Sequence, residues 1–310
     1  MKEASSSKAP SCEPEQHSDE RPSEAKQYWS IYTLQYLNPA IEMDYLDRCG
    51  NAWIQSDRSM HLFSMVPGIL LLKTYRDILP LPLLGFWAWI SIIACPLFAW
   101  LVTAKPGVYH RYRLLVVSLL RISMVLGMCF NQYDPIKEVT TLAVLGRILT
   151  KSPIAPLFVM AMNLRLPFKQ HILVQLLSTG AAMVWVSNFC NSFASMDGFL
   201  DLFSVLGSAI DRMASLMVFN GGYELEDRTH CTCWAICAFV VAFSGSILPT
   251  LLLFSSEASS RARFLSSKYE LCADEQNSLE LCRRETMVCG LWGAVFFSIA
   301  LWMLISSQIF

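Results

Sequence analysis

The sequence predicts an all-α fold: a polytopic helical transmembrane bundle of about eight spans (six to eight), preceded by a disordered N-terminal tail. Three observations predict it. The 310-residue chain is 54% hydrophobic and only 16% charged, whereas a soluble domain carries about 25% charged residues. Four stretches, 78–104, 170–196, 229–256 and 286–310, contain no Asp, Glu, Lys or Arg, and each exceeds the ~20 residues that a helix needs to cross a ~30 Å hydrocarbon core. None of them alternates apolar and polar residues with period two, so helices rather than barrel strands must satisfy the backbone in lipid.

In chain order, residues 1–27 are Ser, Glu, Pro and Lys with almost nothing apolar to bury, the composition of a disordered polar tail. No apolar run follows Lys2, and Glu3, Glu13, Glu15, Asp19, Glu20 and Glu24 make an acid-poor transit peptide untenable. The first hydrophobic span is therefore expected to act as the membrane-targeting element. Residues 28–58 open on the aromatic run Tyr28 to Leu37 and then carry Glu42, Asp44, Asp47 and Asp57, which reads as a cytosolic or interfacial segment with one short helix. Residues 59–310 form the transmembrane domain.

Besides the four uncharged spans, four interrupted stretches are candidates to cross. Residues 59–75 are broken by Pro67-Gly68, and 114–130 contain Arg121. Residues 139–164 contain Arg147, Lys151, Pro153 and Pro156, and 199–220 contain Asp201 and the pair Asp211-Arg212. Lys105, Arg111 and Arg113 place the loop after 78–104 in the cytosol by the positive-inside rule. Counting eight spans forward puts both termini inside, the 221–230 loop inside and the 257–285 loop outside. That loop, with Arg261, Arg263, Lys268, Arg283 and Arg284, then violates the same rule; removing one crossing near 139–164 would invert everything downstream.

A charge at the bilayer centre costs roughly 2.5–3.5 kcal/mol on insertion scales, so Arg121, Asp211 and Arg212 are expected to face a partner or a wet cavity. Either they line an ion or solute pathway, or Arg121 and Asp211 form a packing ion pair. His171 and Gln175 are four apart and share a helix face; Asn188 and Asn191 share another near the end of the same span. They read as a polar lining or as interhelical hydrogen bonds. Ala238, Ala242 and Ser246, with Gly245 beside them, and Ser204 with Ser208 carry small-xxx-small spacing for close helix packing.

The chain has 11 cysteines. Cys272 and Cys282 would form a disulfide if the 257–285 loop is outside and turns at Asn277-Ser278, because a continuous helix holds them ~15 Å apart. His230-Cys231-Thr232-Cys233 with Cys237 lacks the second ligand pair of a zinc site, so no metal is expected; the cysteines there read as small apolar fillers or as palmitoylation candidates. The order interrupted, uncharged, charged occurs twice at an offset of about 90 residues, the spacing of a transporter-like repeat.

No phosphate loop, dinucleotide fingerprint, nucleophile elbow or zinc-protease motif is present, so no cofactor and no catalytic constellation is expected. Balanced charge, 24 Lys+Arg against 25 Asp+Glu, gives no field for nucleic acid. The expected partner is the lipid bilayer, with a small solute or ion as ligand. Two functions remain open: a small-solute or ion transporter or channel that uses buried polar residues, and a non-catalytic membrane scaffold or subunit of a membrane complex. A membrane-embedded enzyme ranks below both.

Overall fold

The computed structural model describes residues 28–75, 93–129, 152–193, 229–269, 271 and 273–307, together with positions 205, 208 and 212. Among these the chain is helical, with no strand; a single isolated bridge joins Trp29 and Tyr36. The helices are α1 (Pro39–Tyr75), α2 (Cys95–Val102), α3 (Pro106–Cys129), α4 (Ile154–Asn163), α5 (Phe168–Phe193), α6 (Thr229–Ala242), α7 (Leu248–Lys268) and α8 (Ala273–Ser307). A π-helical turn, Phe243–Ile247, joins α6 to α7 without a break.

Proline sets several of these boundaries. Pro106 opens α3 at a position whose N–H would have no partner anyway. Pro153 and Pro167 immediately precede α4 and α5, and their carbonyls accept the first bonds of each helix, from Leu157 and His171, both at 2.9 Å. Tyr269 is extended, at φ −112° and ψ 130°, and stops α7.

Among the described residues four helices are long and apolar enough to cross a membrane: α3, α5, the continuous α6–α7 from Cys233 to Lys268, and α8 from Ala273 to Ile305. Their outer faces carry Leu115 and Leu119, Leu173 and Leu177, and Trp292 and Phe296, all exposed. A contiguous apolar exterior of this kind needs a nonaqueous surround, so the protein is a membrane-embedded helical protein. Helix α4, at ten residues, spans only about 15 Å and does not cross by itself.

The eight-span scheme is corrected at three places. The stretch 257–285 is not a long loop: α7 continues to Lys268 and α8 begins at Ala273. The turn required at Asn277-Ser278 is absent, Cys282 is a buried free thiol, and Cys272 lies outside the described residues. Second, the basic segments share one end. Arg113 reaches the carbonyl of Arg165 at 2.7 Å, and Phe168 packs edge-on against Phe254 at 4.9 Å. The 105–113, 165–169 and 257–285 segments therefore sit together, and the parity argument that set them on opposite sides fails. Third, a disulfide joins Cys190 near the end of α5 to Cys233 near the start of α6. These two helix ends, which the eight-span count set on opposite sides of the membrane, therefore lie together. Helix α8 runs from the basic end to that far end, where Trp302 and Ile305 join the core around the disulfide. The C-terminal part of the chain is therefore opposite the described N-terminal part, whereas both termini were expected on one side.

At the basic end, residues 28–58 form no separate short-helix segment: α1 runs 37 residues across position 58 and on through Pro67-Gly68. Trp29, Leu34, Tyr36 and Tyr45 pack on the protruding ends of α7 and α8, and the Trp29 indole donates to the Thr286 hydroxyl at 3.2 Å. The tail 1–27, most of 78–104, half of 139–164 and nearly all of 199–220 lie outside the described residues.

Candidate functional site

Among the described residues three arginines are buried, and the company each keeps separates them. Arg113, two turns beyond the start of α3, donates from Nε to Asp57 Oδ2 at 2.6 Å and from Nη2 to Oδ1 at 3.1 Å. The Tyr109 hydroxyl donates to the same carboxylate at 2.8 Å, so its oxygen accepts from His61 Nε2 at 3.1 Å. The Trp53 ring covers the guanidinium at 4.6 Å. Burial raises the Asp57 carboxyl above its ordinary range, and the Arg113 guanidinium pulls it back.

Arg261 on α7 is bracketed by two carboxylates. It donates from Nη2 to Glu42 Oε1 at 3.0 Å and to Glu257 Oε1, one turn earlier on its own helix, at 2.8 Å. The rings of Tyr36 and Tyr45 lie 4.9 and 4.3 Å from its guanidinium carbon. The Tyr36 hydroxyl donates to its carbonyl at 2.6 Å. Burial pushes both tyrosine hydroxyls above their usual range. These two clusters are neutralised and sit at the basic end, where they fasten α1 to α3 and to α7.

Arg121 is different. It lies two turns deeper in α3 than Arg113, its side chain is 2% exposed, and no Asp or Glu pairs with it among the described residues. Its two bonds go to neutral groups on α5: Nη1 to His171 Nδ1 at 3.2 Å and Nη2 to Gln175 Oε1. Arginine has five N–H donors and accepts nothing. His171 Nδ1 is therefore the acceptor, and its proton sits on Nε2, which donates to Thr250 Oγ1 at 3.0 Å. That fixes His171 as a neutral imidazole in one tautomer.

Gln175 continues the chain of bonds. Its Nε2 donates to the Gly245 carbonyl. This carbonyl is free for a reason written in the sequence. In an unbroken helix the N–H four residues later would take it, but that residue is Pro249. The π turn absorbs the mismatch, with the Leu248 N–H reaching back five residues to Phe243. Gly245 also lets α4 come close: a Cβ there would stand 2.7 Å from Leu157 Cδ1.

Of the residues singled out in the sequence, the structure brings Arg121 and His171 together and adds Gln175 on the expected shared face. Asp211 lies outside the described residues; Arg212 is exposed in a helical position. Asn188 is exposed on α5, about 25 Å along the helix from His171. The expected Arg121–Asp211 pair thus has one member beyond the described residues, and Arg121's described partners are neutral. Sequence reasoning named Gly245 only for close helix packing, and missed Pro249 and Thr250; proline inside an uncharged span was the available signal. Ala238 and Ala242, from the small-residue run, are buried in the bundle core.

At the far end the sulfurs of Cys190, Cys233 and Cys237 lie within 4.8 Å of one another. Two of the three are spent in the disulfide, so they do not supply a thiolate set for a metal. The far end is also the opposite one from the basic segments, whereas the eight-span count set Cys231 and Cys233 on the same side as those segments.

A cleft of about 620 Å³ opens between α5, α7 and α8, with Gln175, Ser246 and Thr250 at its floor and apolar walls elsewhere. No family model matches this chain, and neither a curated protein nor a solved structure matches it.

Proposed function

We propose that this multi-pass membrane protein accepts a small anionic solute or ion at Arg121 and passes it across the bilayer. The contrast among the three arginines supports the reading. Arg113 and Arg261 carry their counter-charges with them. Arg121, at hydrocarbon depth, meets only neutral acceptors among the described residues. An unneutralised cation in low dielectric is expensive, and an anion is what lowers that cost. The alternative, a membrane scaffold in which buried charge serves packing, draws support from the two neutralised clusters.

The test uses purified full-length protein in proteoliposomes, with uptake of chloride, phosphate and acetate measured in parallel. Arg121→Leu is expected to reduce uptake of at least one anion tenfold or more, and Arg121→Lys to keep a measurable part of it. Both variants should reconstitute at wild-type yield. Unchanged uptake in Arg121→Leu, or reduced abundance with no uptake in the wild type, favours the scaffold.

Orientation follows from the same grouping. The end that gathers Lys105, Arg111, Arg165, Lys169, Arg263 and Lys268 faces the cytosol by the positive-inside rule. The opposite end, which holds the Cys190–Cys233 disulfide, then faces the oxidising side.

A further inference from the structure

We infer that the cleft between α5, α7 and α8 binds a long-chain carboxylic acid, its carboxylate at Thr250 and Gln175 and its hydrocarbon chain along Leu176, Leu251 and Phe297. This inference rests on the reading of Arg121 as an anion-accepting residue and names the kind of anion.

The polar floor of the cleft offers donors. Thr250 Oγ1 already accepts from His171 Nε2, so its own proton is uncommitted among the described residues. One Nε2 proton of Gln175 goes to the Gly245 carbonyl and the other has no acceptor there, while its Oε1 is held by Arg121. On Thr250 and Gln175 the acceptor atoms each already hold a donor while an O–H and an N–H stay open, and the Ser246 hydroxyl adds a further O–H. A carboxylate is acceptor-only and fits these converging donors. Arg121 stands one bond behind both donors, through His171 and through Gln175. Its charge, paired with no carboxylate among the described residues, polarises both chains toward a negative head group.

The rest of the cleft suits a tail. Its volume, about 620 Å³, falls within the range of small-ligand sites. The walls are Leu176, Leu251, Phe254 and Phe297, and the cleft lies between helices that carry exposed apolar side chains such as Leu173, Leu252 and Phe296. A hydrated small ion gains nothing from these walls, whereas a hydrocarbon chain buries its surface against them. Ile31 and Tyr32 border the end nearest the basic side, and Tyr32 is exposed.

Two residues of the cleft make the inference testable. Cys289 lines it as an exposed free thiol. A Cβ at Gly293, also in the lining, would meet nothing within 4 Å, so a larger side chain enters the cleft without striking the backbone. The experiment follows N-ethylmaleimide modification of the Cys289 peptide by mass spectrometry, in full-length protein in nanodiscs, with oleate as probe and oleyl alcohol as its uncharged counterpart.

Oleate is expected to slow Cys289 modification at least fivefold, and oleyl alcohol less than twofold. Gly293→Leu should abolish oleate protection. The isosteric Thr250→Val should weaken it tenfold or more in half-saturating oleate, with unfolding temperature retained as the check on folding. Equal protection by the alcohol overturns the inference, as does a Thr250→Val protein that folds and is protected like wild type. If oleate gives no protection while Arg121-dependent uptake of small anions persists, this inference falls and the reading of Arg121 stands. If oleate protects but Arg121→Leu, shown folded by the same melt, is protected equally, the anion assignment falls with it.

Discussion

Cys190 and Cys233 tie the end of α5 to the start of α6 with their Cα atoms 5.9 Å apart, and this one link sets the direction in which α6, α7 and α8 run. Because α6 starts beside the end of α5, α6–α7 runs back toward the basic segments and α8 away from them. Cysteine accessibility in sealed vesicles checks the arrangement. A cysteine introduced at Ser266 and another at Asn277, both exposed near the α7–α8 turn, should be labelled by an impermeant maleimide from the cytosolic face alone. An epitope placed after Phe310 should be reached from the opposite face. Labelling of both from one face would contradict the path of α8.

The disulfide itself is the next expectation. It closes a loop of 43 residues, for which chain-entropy reasoning gives a stabilisation of about 4 kcal/mol. Cys190→Ser should therefore lower the unfolding midpoint of the detergent-purified protein by several degrees. Without reductant, alkylation should spare Cys190 and Cys233 and modify Cys289. Full alkylation of Cys190 and Cys233 in protein from an oxidising compartment would remove both the bond and the orientation argument built on it.

The Asp57–Arg113 pair lends itself to a double-mutant cycle. Removing one member of a buried ion pair typically costs about 3–5 kcal/mol, because the other charge is left behind without a partner. Replacing both by apolar residues is far cheaper. Arg113→Leu and Asp57→Leu are each expected to destabilise strongly, and the double variant to recover most of the loss, read as unfolding free energy in mixed micelles. Additive losses would mean that the two side chains do not share the bonds described.

These pairings also show where sequence reading stops. The uncharged runs 170–196, 229–256 and 286–310 announced their helices because hydrophobicity is local information. The charges Arg113, Arg261 and Asp57 were visible too, but their pairing was not: Glu42 and Arg261 are 219 positions apart, and no spacing rule connects them. The 257–285 segment misled for a different reason. Its six acidic and five basic residues read as a loop, yet charged residues form helices readily when the helix extends beyond the lipid. His171 and Gln175 were placed on one face by their four-residue spacing; that Arg121 meets that face depends on how α3 packs against α5, which only the folded chain reveals.

Pro249 gives the sharpest test of how the site is built. A proline in a helix interior is costly, by about 3 kcal/mol, because it removes an N–H and crowds the carbonyl four residues back. Here the freed carbonyl of Gly245 is used by Gln175, so the cost is exchanged for the position of a side chain that also holds Arg121. Pro249→Ala restores an N–H at 249, which should reclaim the Gly245 carbonyl and draw the π turn Phe243–Ile247 toward regular α-helix. Gln175 then loses its anchor while no buried volume is lost. The variant is expected to unfold at a higher temperature than the wild type and yet to lose anion uptake and oleate protection of Cys289, a trade of function for stability familiar at strained sites. A Pro249→Ala protein that gained stability and kept both activities would show that the Gly245–Gln175 bond has no part in holding Arg121.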